Sequence, residues 1–441
     1  MSRNSFSPAT TARRGLRRFF RNSVQTAFRR FSPVFIGSVL LLLAACSDAP
    51  ETARPPAVIQ DKKPPIAAIA KKAPAFDWVF FYYMAYDNNL EKCGRPILDM
   101  LGEGITSDKV AVVVFADFRD KDGMRRYEQT KGHEKSVLLG TEASAEEATL
   151  QAQLDWTRAN YKAKHYAIVF LDHGARLDEM SKDENPGAGS AKTWLKLPQT
   201  ARILTDFRKA VGNKLEYIFI QQCGKGALEN YYAMRAAAPF VMGSQTVIGA
   251  PNRYYTEALK AVCGNTEIDG KQLAHLFSAY ETDNMFTTYT TVNEKALADL
   301  PKNLDAALKP LLELEILAAP AILPEFPRRG KAALIEGPSS VRMCFQPAKE
   351  EQFCDGLAWL KAMYEANKLD LKPYEAFAKW AREELITEHR CSPAKEAHAG
   401  TWCGFSIYVP ANVTALERYA DYAIYKDTKL YELMSRLLKS R

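Results

Sequence analysis

The stretch "YAIVFLDHGARLDEM", residues 166–180, runs from apolar and aromatic residues straight into Asp172, His173 and Gly174. Further on, "LEYIFIQQCGKGALENYYA", residues 215–233, repeats the arrangement but delivers Cys223. Each reads as a buried strand that ends in a polar loop. Similar apolar runs at 77–86, 109–118 and 239–245 are predicted strands. Helical spacing falls between them at 88–104, 146–162, within 191–212, and at 226–238. Continuous apolar strands alternating with helices predict an α/β fold whose largely parallel sheet is covered on both faces. Such sheets carry their chemistry outside the carboxyl ends of the strands, where the connecting loops meet. His173 and Cys223 both fall at that end.

The second half is richer in helical pattern, at 255–263, 269–284, 293–318, 350–367, 373–388 and 415–438, with strand-like pieces at 286–292, 331–337 and 404–410. No linker-like break separates the halves. Residues 76–265 therefore read as the core, and 266–441 as a helix-rich region packed on it.

The net charge of +7 is misleading as a sign of an anionic partner. Residues 1–46 hold eight arginines, no lysine and no acid, and subtracting them leaves the remainder at −1. Nucleic-acid binding thereby loses its main support. The same 46 residues read as a targeting segment. A basic flank precedes an apolar run from Val34 to Ala45, shorter than the ~20 residues of a membrane-spanning helix. "LAAC" followed by Ser47 resembles a bacterial lipobox, which implies cleavage before Cys46 and lipid attachment to it. An ordinary signal peptide with an incidental cysteine is the plainer alternative. Residues 47–75, rich in Pro, Ala and Lys, read as a flexible tether.

Of eight cysteines, Cys46 is thus assigned to lipid and Cys223 to chemistry. The remaining six are an even number, which in an exported chain suggests three disulfides. The short spacings 344/354 and 391/403 suggest two local bridges and leave 93/263, out of the 15 connectivities that six cysteines allow. No spacing matches thiolate zinc ligation.

A lone histidine after a strand, or a lone cysteine within one, is ordinarily a packing or loop residue. Presented together at adjacent strand ends they suit nucleophilic catalysis. Only a thiolate attacks a carbonyl efficiently, and a neighbouring imidazole can take the thiol proton and return it to a leaving amine. Gly174 leaves room for its N–H to meet a developing oxyanion beside that of Cys223. The helix predicted after Cys223 also turns its positive end toward the sulfur.

Several stretches resemble the clostripain-like cysteine peptidases, members of the wider group with a caspase-like fold. "YYMAYDNNLE" (82–91) is similar to the family's opening signature, "HYAIVFLDHG" (165–174) to its histidine strand, and "LEYIFIQQCGKGALENYYAM" (215–234) to its cysteine strand. "FVMGSQTVIGAPNRYY" (240–255), "TTYTTVNEKALADL" (287–300) and "CGFSIYVP" (403–410) resemble later family segments. The resemblance implies a caspase-like sheet with His173 as base, Cys223 as nucleophile, and Gly174 and Cys223 as oxyanion N–H donors. It implies hydrolysis of a protein or peptide through a thioester, with no metal in the chemistry. Calcium activates some relatives, but no acidic loop here specifically calls for it. Gln221 and Ser244 are the implied substrate-binding positions.

One departure bears on specificity. The family typically carries an aspartate two residues before the cysteine, to receive an Arg or Lys side chain; here that residue is Gln221. A cationic side chain buried without an opposing charge is penalised, so a weakened preference for basic P1 residues is expected. Asp178 and Glu179 are the nearby acids that stand to compensate. Lys225 likewise departs from the caspase pattern that "QQCGK" partly matches. The Gly/Pro-rich segment 175–190 reads as a mobile surface loop, with Lys182 and Lys192 as candidate maturation sites in or beside it. The whole reads as a lipid-anchored cysteine endopeptidase of the bacterial cell envelope, placed at the outer membrane because Ser47 is not the usual inner-membrane retention residue. The alternative is a lipoprotein that keeps the fold as a binding or scaffolding module.

Overall fold

The computed structural model describes residues 75–119, 123–140, 143–186, 190–282, 285–320, 344–345, 351–392 and 402–439. Cys46, the tether and the strand expected at 331–337 lie outside these residues. The strands are β1 (Ala75–Ala85), β2 (Val110–Asp117), β3 (Met124–Thr130), β4 (His133–Gly140), β5 (Lys162–Leu171), β6 (Glu179–Lys182), β7 (Trp194–Lys196), β8 (Leu215–Gln221), β9 (Phe240–Gly243), β10 (Thr288–Asn293), β11 (Cys344–Phe345), β12 (Glu351–Asp355), β13 (Ile386–Cys391) and β14 (Ser406–Pro410). The helices are α1 (Glu91–Gly104), α2 (Glu147–Asn160), α3 (Leu197–Ala210), α4 (Leu228–Ala233), α5 (Tyr255–Gly264), α6 (Gly270–Tyr280), α7 (Glu294–Leu312), α8 (Gly356–Ala366), α9 (Lys372–Trp380), α10 (Val413–Glu417), α11 (Ala423–Asp427) and α12 (Leu430–Lys439).

Nine strands form the main sheet in the order β13-β10-β9-β8-β5-β1-β2-β3-β4. The five central strands, β9 to β2, run parallel; β10 at one edge and β3 at the other are antiparallel to them, and β13 and β4 pair antiparallel outside these. Side chains alternate between the two faces of the sheet, and with both faces covered the middle of each central strand is apolar on both. Val79, Phe81 and Tyr83 of β1 join Ile168 and Phe170 of β5 and Ile218 and Ile220 of β8 on one face, covered by α2, α3, α4 and α7. Trp78, Phe80, Tyr82 and Met84 join Val169, Leu171, Tyr217 and Phe219 on the other, covered by α1, α5 and α6.

Three features differ from the sequence expectation. The β3–β4 hairpin was not predicted, because its strands are charged and β4 is mostly exposed, as befits an edge that must not recruit another chain. The helical pattern at 350–367 begins in β12, and that at 373–388 ends in β13, so the region after residue 265 supplies two strands, β10 and β13, to the main sheet. The continuous pattern at 415–438 is divided among α10, α11 and α12.

The expected 93/263 and 391/403 bridges are corrected. No disulfide is present among the described residues, and Cys93, Cys263 and Cys403 are free thiols. Cys263 Sγ lies 3.3 Å from the Thr106 N–H, just beyond the end of α1, whereas Cys93 is in that helix's first turn. A helix rises ~1.5 Å per residue, so the two sulfurs are held at opposite ends of α1. Cys403 Sγ instead meets the Phe405 carbonyl at 3.0 Å. Cys344 is the register partner of Cys354 in the pairing of β11 with β12. Among the described residues, no helix is long and apolar enough to cross a membrane.

Glu229 lies behind the cysteine-bearing loop, in the first turn of α4, with no exposed surface. Its Oε1 accepts the Tyr408 N–H of β14 at 3.0 Å, while Oε2 has no hydrogen-bond partner among the described residues. Burial pushes its pKa up to about 8, from an ordinary 4.5. Since the folded state holds this proton more tightly than the unfolded chain, the stabilisation is complete below pH 4.5 and is lost as pH rises to about 8. Urea unfolding at pH 5 and pH 8 should show that loss in the wild type, at roughly 1 kcal/mol per pH unit. Glu229→Gln should remove that part of the pH dependence. Phe219, enclosed by Phe277, Tyr254 and Tyr289, tests the opposite core. Phe219→Ala should cost about 3–5 kcal/mol, against less than about 0.5 kcal/mol for Leu138→Ala on exposed β4.

Candidate active site at the carboxyl ends of the central strands

Parallel pairing sets Met84 opposite Leu171, and Leu171 opposite Gln221, so β1, β5 and β8 end side by side. What leaves those ends is the site. After Leu171 the backbone turns at Asp172, which takes a φ of +148°. This unusual conformation for a non-glycine residue is held by the side chain's own bonds. Asp172 accepts from Asn88 Nδ2 at 2.8 Å and from the Lys182 N–H. Burial holds its carboxyl well above the ordinary range, opposed by N–H donors that include the His173 amide. Asn88 also donates to the carbonyls of Ala85 and Lys182, both at 3.0 Å, knotting the end of β1 to the segment beyond His173.

The adjacent Asn89 presents Oδ1 to His173 Nε2 at 2.7 Å. An amide oxygen only accepts, so in this arrangement Nε2 carries the proton and Nδ1 is left as the basic nitrogen. Both asparagines stand within the 82–91 signature, which by itself assigns neither a role; their short polar side chains just beyond a buried strand are the signal the sequence offers.

Segment 175–190, expected to be a mobile loop, starts as a tight hairpin. Gly174 bridges Met180, the Ser181 N–H donates to the His173 carbonyl at 3.1 Å, and β6 pairs with β7. Ser181 and Asp183 are completely buried. Asp178 and Glu179 are engaged by Lys196, at 3.0 and 3.3 Å, and neither lines the cleft beside His173.

Gly174 brings the two strand ends together. A Cβ placed on it would lie 2.4 Å from the Cys223 carbonyl oxygen and 3.3 Å from the Cys223 nitrogen. Any side chain there would force the histidine hairpin and the cysteine loop apart. Cys223 itself begins the loop after β8. Gly224 follows with a φ of +67°, its N–H donating to the Thr246 carbonyl at 2.6 Å, and the Gly226 N–H donates to Ser244 at 2.7 Å. Cys223 Sγ is 3.4 Å from both the carbonyl oxygen and the N–H of Ile248. The thiol thus lies against the peptide of the 246–250 segment. A cleft of about 30 Å³ remains beside His173, lined by Tyr86, Leu90, Gln221, Ile248, Gly249 and Ala250 among others.

Gln221 faces this cleft from a saturated position. Its Oε1 accepts from Tyr254 at 2.6 Å, and its Nε2 donates to Asn252 and, at 2.9 Å, to Tyr255. Asn252 in turn donates to Tyr289 at 2.8 Å. Burial pushes the pKa of each of these three tyrosines well above the usual phenol value, so the floor consists of neutral groups. Ser244 is fully buried and absent from the cleft lining; its carbonyl supports the cysteine loop through Gly226.

Beside the site, single carboxylate oxygens of Asp87, Asp117 and Asp183 lie within 4.8 Å of one another, a spacing able to hold a cation. Protein donors already meet Asp87 and Asp183. Asn185 Nδ2 donates to Asp87 at 2.8 Å and the Arg119 guanidinium is 3.8 Å away; the amides of Ser144 and Asn185 donate to Asp183 at 3.0 Å.

The family model described as the clostripain family matches residues 82–435. The fold is similar to that of an inactive zymogen of a C11 protease from Parabacteroides distasonis, at 18% identity and a TM-score of 0.58 over 80% of this chain and 98% of that one. It is also similar to a secreted C11 cysteine protease from Bacteroides thetaiotaomicron called iotapain, at 15% identity and a TM-score of 0.59 over 80% and 99%. A secreted C11 cysteine protease from the same organism, in complex with an irreversible peptide inhibitor, gives 14% identity and 0.55 over 82% and 99%. No curated protein matches the chain by sequence. The family match runs from β1 to α12 and takes in both strand ends that meet at Gly174. The chain belongs to the clostripain family of cysteine peptidases.

Proposed function

We propose that this chain is a lipid-anchored cysteine endopeptidase working through Cys223 and His173. The observation that carries the reading is the backbone approach of Gly174 to Cys223, which joins the two strand ends bearing the reactive side chains. Cys223 Sγ attacks the scissile carbonyl carbon as His173 Nδ1 accepts the thiol proton. The carbonyl oxygen takes up negative charge between the N–H groups of Gly174 and Cys223, donors worth about 3–4 kcal/mol of barrier each where they have been removed from such sites. Collapse of the adduct breaks the C–N bond, and His173 returns the proton to the leaving amine. A water molecule, deprotonated by the same imidazole, then hydrolyses the thioester. Asn89 holds the imidazole in the required tautomer throughout.

In the resting form Ile248 covers the thiol, and substrate enters as the 246–250 segment moves aside. Gln221 replaces a charged floor with an amide whose bonds are already taken, which supports a weakened preference for Arg and Lys at P1. Ser244 acts from beneath, by holding Gly226, rather than by touching substrate. The groups named here suffice for each step without a metal ion, and calcium, if it acts, does so outside them. The "LAAC" stretch ending at Cys46 supports a lipid anchor and a place in the cell envelope, with outer-membrane attachment favoured by Ser47.

Digestion of a peptide library should yield cleavage products with the wild-type protein and none with Cys223→Ala. Gln221→Asp should raise kcat/KM for Arg and Lys at P1, relative to neutral residues, by at least about tenfold. An unchanged P1 ratio in the folded variant would separate Gln221 from specificity.

A further inference from the structure

Cys223 is flanked by two polar side chains that the reaction does not use. Gln222 and Lys225 are both fully buried, which is rare for a lysine. Each reaches across to the histidine hairpin. Gln222 Oε1 accepts the Ser181 N–H at 3.3 Å, and its Nε2 donates to Ser181 Oγ at 2.9 Å. The Lys225 stem crosses Gly174 so closely that a Cβ there would be 2.7 Å from Cε. Its Nζ donates to the carbonyl of Arg176 and, at 3.4 Å, to that of Leu177. The links therefore grip the hairpin at two places: Lys225 at its turn, and Gln222 at its returning strand. The acids of that turn, Asp178 and Glu179, are met by Lys196, from β7.

We propose that Gln222 and Lys225 are positioning residues that lock the His173–Ser181 hairpin in register with Cys223. The inference rests on the peptidase reading for its catalytic consequence. The side chains beside the nucleophile hold the hairpin that carries both the base and one oxyanion donor. A hydrogen bond from a charged donor is stronger than a neutral one, and its removal leaves turn carbonyls without that donor in a buried place. Reacting groups displaced by about 1 Å can lose about a hundredfold in rate, so loosening the hairpin should slow the chemistry more than it weakens substrate binding.

The test compares wild-type protein with Lys225→Met, which keeps the stem and removes the donor, with Lys225→Arg, which keeps a cationic donor, and with Ser181→Ala, which cuts the second link away from the cysteine loop. Hydrogen exchange followed by mass spectrometry reads the lock directly, whether or not the protein turns over. In Lys225→Met, amides 173–182 should exchange at least about tenfold faster while β1 and α1 keep their protection. With a peptide that the wild type cleaves, kcat should fall roughly 10- to 100-fold with KM within about twofold. Ser181→Ala should move the same readouts less, and Lys225→Arg should recover part of kcat. Unchanged exchange at 173–182 in Lys225→Met would overturn the lock. Faster exchange with unchanged kcat would overturn its positioning role, as would a loss of protection spread evenly over the protein. If the wild type cleaves no peptide, the peptidase reading fails separately and exchange alone decides the lock.

Discussion

The approach of the Gly174 backbone to that of Cys223 is the constraint on which the site depends. It requires β5 and β8 to be neighbours, to run parallel and to end level, which the pairing of Leu171 with Gln221 provides. It also requires a residue without a side chain, since a Cβ would meet the Cys223 carbonyl oxygen at 2.4 Å. The packing of the sheet serves this end. With aliphatic and aromatic residues filling both faces of β1, β5 and β8, those strands cannot slip by one residue without exchanging two cores. The register of a buried sheet thus becomes the register of a histidine against a cysteine.

Polar groups then refine what the strands deliver. Asn88 and Asp172 join the end of β1 to the turn that aims His173, and Asn89 fixes which ring nitrogen is protonated. The cleft floor is treated differently. Gln221, Asn252 and three tyrosines satisfy one another, leaving a floor of neutral groups. The Ile248 peptide lies against the Cys223 thiol. The hairpin that carries His173 and the segment that meets the thiol are therefore different parts of the chain.

The central strands were legible because burial on both faces writes continuous apolar runs that few other structures require. His173, Gly174, Cys223 and Gln221 were legible for the same reason, since each stands where such a run stops. The β3–β4 hairpin was not, because half-exposed charged strands carry no comparable pattern. β12 and β13 were hidden inside stretches that also have helical spacing. Cysteine parity failed because it carries no distances: Cys93 and Cys263 are equally good partners on paper and sit at opposite ends of α1. Lys225 was illegible in another way. A lysine in a glycine-flanked loop reads as solvent-exposed, and only the folded hairpin supplies the carbonyls that bring it inside.

The central claim, that Cys223 is a nucleophile served by His173, is tested most directly by covalent labelling. Wild-type protein and His173→Ala would be treated with a set of acyloxymethyl-ketone peptides differing at P1, and the modified residue located by mass spectrometry. The account predicts a single adduct on Cys223 in the wild type, with its rate reduced by at least about a hundredfold in His173→Ala. Labelling at another cysteine, or on Cys223 at an equal rate in both proteins, would contradict it.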